Sequence, residues 1–148
     1  MVWLLQYIYM NNTTDIMKTT IDNFYNKWNG VDCEDWGGVM SPMYKEYQRS
    51  FFRAMKAICK DLNANIVNKT YGHYFESVMV ERNGHYVYIS QEHHLGGRAV
   101  VDLTHRNRFL IRTAAHASDY RGGRNDYVEW KNITKKLDEM LNQEHISW

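Results

Sequence analysis

Asn83-Gly84 stands between two β-like runs, 74–82 and 85–91, and this pair does more than any other to restrict the fold. A two-residue type I′ turn needs positive φ at both central positions, which Asn and Gly adopt at least cost, so the runs are predicted to form an antiparallel hairpin. A hairpin is only marginally stable alone, so the chain must supply further strands and something to cover them. Run 65–71 reads as another strand, 99–103 as a short one, and 108–114 as one with alternating apolar and polar residues.

The cover is predicted to be helical. Ser41 reads as an N-cap with Pro42 at the first helical position, where its missing N–H costs nothing. From there to Leu62, Tyr44, Tyr47, Phe51, Met55, Ile58 and Leu62 form one apolar stripe, with lysines and arginines on the other faces. A shorter helix follows Thr19 or Thr20, carrying Ile21, Phe24, Tyr25 and Trp28 at helical spacing, with a capping box from Thr19 to Asp22 and a stop at Asn29-Gly30. Asp126 with Glu129 is expected to open a last helix whose buried stripe is Trp130, Ile133, Leu137, Met140 and Leu141. The result is an α+β fold: N-terminal helices, an antiparallel sheet of four to five strands, and a C-terminal helix packed on the sheet. The order α-β-β-β-α within it is similar to that of double-stranded RNA-binding domains, and order alone carries no function.

A length of 148 residues, 44% of them hydrophobic, suits one ordinary core, so one domain is expected over 1–148, helical over 18–62 and sheet plus helix over 63–148. The apolar start, MVWLLQYIYM, lacks a preceding basic residue and a following cleavage site, and is half the length of a membrane span. Residues 1–17 are expected to be a packed strand or helix turn, or an extension from an upstream start with Met10 or Met17 the natural beginning. Two cysteines, Cys33 and Cys59, without CxxC spacing point to a reducing, cytoplasmic compartment rather than a disulfide scaffold.

Charge is the main pointer to function. The whole chain is only +1, yet Arg98 to Arg124 holds six arginines against Asp102 and Asp119, a local +4 that leaves −3 for everything else. One basic side is therefore expected, suited to phosphates or carboxylates. In the run 108–114, Arg108 and Arg112 fall on one face with Leu110 between them, while Phe109, Ile111 and Thr113 point to the other. Arg121 and Arg124 flank Gly122-Gly123 ahead of the expected helix, where free backbone N–H groups and the helix dipole favour an anion. Arginine suits planar, bidentate contact to such groups. The glycine pair fits no phosphate-loop or dinucleotide pattern and is also what a turn of positive φ requires. Tyr86 and Tyr88 would share a face, to pack against helices or to stack on a base.

Catalytic patterns are weaker. Asp32, Glu34 and Asp35 do not match the calcium-loop spacing and read as a solvated acidic turn. Cys59 lies among core residues of the long helix and is expected to be inert. Glu92-His93-His94, then Asn107, then His116 resembles in order and spacing the metal-binding motif of HNH endonucleases. That resemblance implies His94 as general base, Asn107 as its orienter and His116 as metal ligand. Two departures stand against it: the bracing cysteine pairs are missing, and RFLIRTA after Asn107 reads as strand where the family needs helix.

The segment FLIRTAAHASDYRGGRNDY, with NGHYVYIS upstream and a closing helix, resembles small uncharacterised proteins encoded by phages, plasmids and other mobile elements of gut bacteria. The likeness covers roughly the last 80 residues. It implies a non-enzymatic accessory protein, of the kind that includes anti-CRISPR-like inhibitors, with a host defence protein or nucleoprotein complex as partner. The binding surface expected from the residues is Arg108, Arg112, Arg121, Gly122, Gly123 and Arg124, with nucleic acid a direct or indirect contact, no cofactor or resident metal, and no membrane. The rival readings are an HNH-like nuclease and a structural or assembly subunit.

Overall fold

In the computed structural model the described residues are 4–6, 18, 20–37, 41–71, 75–92, 100–104 and 109–147. Helix α1 spans 20–28, and a 3-10 turn covers Glu34–Trp36. Then come α2 (Pro42–Asp61), β1 (Asn65–Tyr71), β2 (Phe75–Arg82), β3 (His85–Glu92), β4 (Phe109–Ala114), β5 (Asp126–Val128), a 3-10 turn (Trp130–Asn132) and α3 (Ile133–Leu141). The five strands form one antiparallel meander in the order β1-β2-β3-β4-β5. Arg82 pairs with His85, and between them Asn83 and Gly84 take φ of 53° and 81°.

The local chemistry explains α2. Ser41 is extended, its Oγ accepts from the Tyr44 N–H at 3.2 Å, and Pro42 fills the first turn. Its buried stripe meets the sheet face made by Val78, Val80, Val87, Ile89, Phe109 and Ile111. Helix α1 adds Phe24 and Trp28 to the same layer: Trp28 lies edge-on to Tyr47 at 5.1 Å, and Phe24 packs on Trp130 at 4.7 Å. Helix α3 completes the cover with Ile133, Leu137 and Leu141. At the hairpin end, Arg82 reaches both the Leu62 carbonyl (2.9 Å) and the Asp138 carboxylate (2.8 Å), so one guanidinium ties the C-terminal ends of α2 and α3 to the sheet.

Several expectations are corrected. Residues 126–128 do not open a helix; they pair with β4 as β5, and Glu129 makes no side-chain cap to the 3-10 turn that leads into α3. The predicted strand at 99–103 is no part of the sheet in its described residues, 100–103. Val100 bridges to Asp32, Val101 exchanges backbone hydrogen bonds with Gly30 and Val31, and the Leu103 N–H donates to Asn29 Oδ1. The acidic turn needs no such correction: Asp32 and Asp35 are exposed, while Cys33 and Trp36 of the same stretch are buried in the core. Residues 4–6 are a helical turn whose Leu4 and Leu5 are exposed rather than packed. Thr19 of the predicted capping box lies outside the described residues.

Candidate functional site

The face of the sheet turned away from the helices carries a row of side chains in register across four of the five strands. Asn68 of β1 stands opposite Met79, Met79 opposite Tyr88, and Tyr88 opposite Arg112. The row ends at Asn125, just ahead of β5, whose Oδ1 accepts from Arg112 Nη1 at 3.0 Å. A single-residue bulge at Val67 sets this register, because Ile66 pairs with Val80 on the helix side and Asn68 with Met79 on the other.

The row is covered. After β4 the chain doubles back over this face: the Ala117 carbonyl accepts from Asn68 Nδ2 at 3.2 Å, and the Tyr120 ring meets Tyr88 edge-on at 5.7 Å. From β4 to β1 the strap spans three strand spacings, about 14 Å. Met79 is consequently wholly buried, and the Arg112 guanidinium lies 4.6 Å from the Tyr88 ring centroid with only 8% of the residue exposed. Arg112, expected in a solvent-facing cluster, is instead a buried support beneath the strap. Tyr88 is neither helix-packed nor free to stack.

Asp119 shapes the next turn. Its carboxylate accepts from the backbone N–H groups of Ala115 (2.8 Å), Gly122 (2.7 Å) and Arg121 (3.3 Å). These bonds, the one from Ala115 foremost, hold its carboxyl below the usual carboxylate range. The cradle of N–H groups predicted to await an outside anion is thus occupied by the chain's own. The loop also precedes β5, not a helix, so no helix dipole acts on it. Asp119→Ala is expected to cost about 1.5–3 kcal/mol, the range for hydrogen bonds to a charged group, and to speed amide exchange at Arg121 and Gly122. Hydrogen exchange at those two amides checks it.

The glycines are required for space rather than for φ. Neither has positive φ; a Cβ on Gly122 would sit 2.7 Å from both Asp119 carboxylate oxygens, and one on Gly123 would sit 1.9 Å from the Thr113 carbonyl oxygen. The C-terminal segment closes the other side. Gly123 bridges to Ser147, the Arg124 N–H donates to the Ile146 carbonyl at 3.0 Å, and the Ile146 N–H donates to Thr113 Oγ1 at 2.8 Å. Between these two anchorages Arg121 and Arg124 are exposed. The structure therefore brings Arg121, Gly122, Gly123 and Arg124 into one braced loop and sets Arg112 beneath the neighbouring strap. Arg108 lies outside the described residues, as do His94 and Asn107.

The remaining candidates separate from this loop. His116 is exposed, its Nδ1 accepting from the Ser118 N–H at 3.2 Å, and FLIRTA supplies β4, not the helix that an HNH motif needs. Among the described residues no group of three or more His, Cys, Asp or Glu side chains is gathered that could hold a metal. Burial pushes the Cys59 thiol up to about 12, which suppresses the thiolate and any nucleophilic role.

Sequence reasoning missed a second basic surface. On α2, Lys45, Arg49, Arg53, Lys56 and Lys60 are all exposed and fall within an arc of about 80° at the helical 100° per residue. No acidic residue lies in that arc, and Glu46 at its edge is ion-paired with Lys27 at 2.5 Å. The i, i+4, i+8, i+11, i+15 spacing is its signal in the sequence, and the solvated back of any amphipathic helix shows the same spacing. Among the described residues no helix is long and apolar enough to cross a membrane. No family model matches this chain, nor does any curated protein or solved structure.

Proposed function

We propose that this is a non-enzymatic binding protein of a phage or mobile element, anti-CRISPR-like, which engages a nuclease or its nucleic acid through the guanidiniums of Arg121 and Arg124. The supporting observation is the bracing of their loop: the Asp119 carboxylate fixes it from one side and the Ile146–Ser147 segment from the other. A loop already ordered gives up little conformational freedom on binding, so two exposed guanidiniums are presented to planar anions with small entropic loss. Arg112 contributes from below by holding Tyr88 and Asn125, and is a positioning residue rather than a contact. The protein acts in the cytoplasm in this reading, where the thiols of its buried Cys33 and Cys59 stay reduced.

The test is binding of the purified protein to a panel of guide-loaded RNA-guided nucleases at physiological salt. Arg121→Ala/Arg124→Ala is expected to weaken capture at least tenfold while leaving the melting temperature within about 2 °C, because exposed surface substitutions change stability by roughly 0.5 kcal/mol at most. Equal capture by the double variant and the parent, or none by the parent across the panel, overturns the proposal.

A further inference from the structure

We infer that the groove between α2 and β1 is a second binding site, separate from the arginine loop, and that it takes single-stranded nucleic acid. The groove encloses about 650 Å³ and is lined by Arg53, Lys56 and Lys60 from α2 and Lys69 from β1, over an apolar floor that includes Phe52 and Ile66. Among the described residues no acidic side chain lines it. All four cations are exposed, and no ion pair among the described residues engages them. Four like charges gathered with no counter-charge among the described residues repel one another, and the arrangement is relieved by an anionic chain laid along them.

The spacing suits a phosphodiester backbone. Arg53, Lys56 and Lys60 rise along the helix by roughly 4.5 and 6 Å, and the stripe from Lys45 to Lys60 extends about 22 Å. A nucleic-acid strand carries one charge for every 3.4 Å or so of stacked length, more when extended, so several consecutive phosphates fall within reach. The Lys69 ammonium lies 5.4 Å from the Phe52 ring centroid, which holds the β1 cation over the floor.

An exposed ring completes the site. Lys69 and Tyr71 lie on the same face of β1, opposite Val78 and Glu76 of β2, about 7 Å apart by strand rise. Tyr71 is 63% exposed, the largest exposure of any aromatic ring among the described residues. A ring at the end of a cationic track stacks on an unpaired base, and a paired base offers it no free face. Single strands are therefore favoured over duplex. A peptide strand added to the β1 edge fits less well: the Val67 bulge breaks the hydrogen-bond ladder, and Lys69 points a charge to the inward face, both features that deter edge pairing.

Fluorescence anisotropy of the full chain with a labelled 20-nucleotide single strand of DNA or RNA, its duplex, and a poly-glutamate peptide tests this. The single strand is expected to bind with affinity falling steeply as salt rises. Lys56→Glu/Lys60→Glu should weaken it by tenfold or more, and Tyr71→Ala by about fivefold or more, with the duplex indifferent to the tyrosine. Should the double glutamate variant fail to fold, Lys69→Glu and Tyr71→Ala carry the same test. The groove variants are read in oligonucleotide anisotropy and Arg121→Ala/Arg124→Ala in capture of the guide-loaded nuclease, so failure here and failure of the arginine-loop proposal read out in separate assays. Equal affinity for duplex and single strand, tighter binding of poly-glutamate, or indifference to both groove variants overturns the inference.

Discussion

Gly123→Ala is expected to lower the melting temperature by about 10 °C, a shift visible in a thermal scan followed by circular dichroism. The added Cβ would lie 1.9 Å from the Thr113 carbonyl oxygen and 3.2 Å from Arg112 Cδ. Neither side has room to yield, because Thr113 is held in β4 and Gly123 by its bridge to Ser147. Overpacking against backbone costs about 3 kcal/mol or more, and each kcal/mol moves the midpoint of a domain this size by roughly 3–4 °C. Gly122→Ala should be milder, since its clash is with the end of the Asp119 side chain, which can swing aside. A Gly123→Ala variant melting within 2 °C of the parent would show that the loop has another backbone path.

Raising the pH above 9 is expected to destabilise the fold steeply. Burial pushes the Cys59 thiol from 9.0 up to about 12. The Tyr47 phenol is raised well above 10.0, first by burial and then by the nearby Glu76 carboxylate, while its hydroxyl donates to Gln91 Oε1. Both groups keep their protons in the folded chain at a pH where the unfolded chain releases them, so rising pH draws the equilibrium towards unfolding. The stabilisation is complete below pH 9, erodes between 9 and about 12 for Cys59, and begins to erode near 10 for Tyr47. Within its window each group costs up to about 1.4 kcal/mol per pH unit. Urea midpoints at pH 8 and 10.5 measure the effect, and Cys59→Ala should flatten the slope by its share. Identical midpoints at the two pH values would mean that neither group is held protonated.

What could be read from the residues was set by how locally each element is specified. Helix α2 begins where Ser41-Pro42 says it should, because cap, proline and stripe all lie within the element itself. Strands β1, β2 and β3 likewise appear within a residue of their predicted limits. Strand β5 was illegible: three residues are too few to show alternation, and Asp126 with Glu129 mimics a capping box. Its existence depends on pairing with β4, a tertiary fact. Arg112 shows the same limit, since alternation put it on the correct face of β4 but could not say that residues 115–121 would cover that face. The six arginines concentrate charge in the C-terminal half, whereas among the described residues α2 carries five exposed cations in one arc without acids, at a spacing that any solvated helix face shares.

The segment that locks the arginine loop comes more than twenty positions after Arg124 in the chain. Translation proceeds from the N-terminus, and packed units assemble as they emerge. The helical layer and the first strands can therefore consolidate on the ribosome while Arg121 and Arg124 still hang on an unfastened turn. That loop is fastened last, and a released chain truncated before Ile146 would keep the core residues up to Leu141 while leaving the Arg124 N–H without its carbonyl partner.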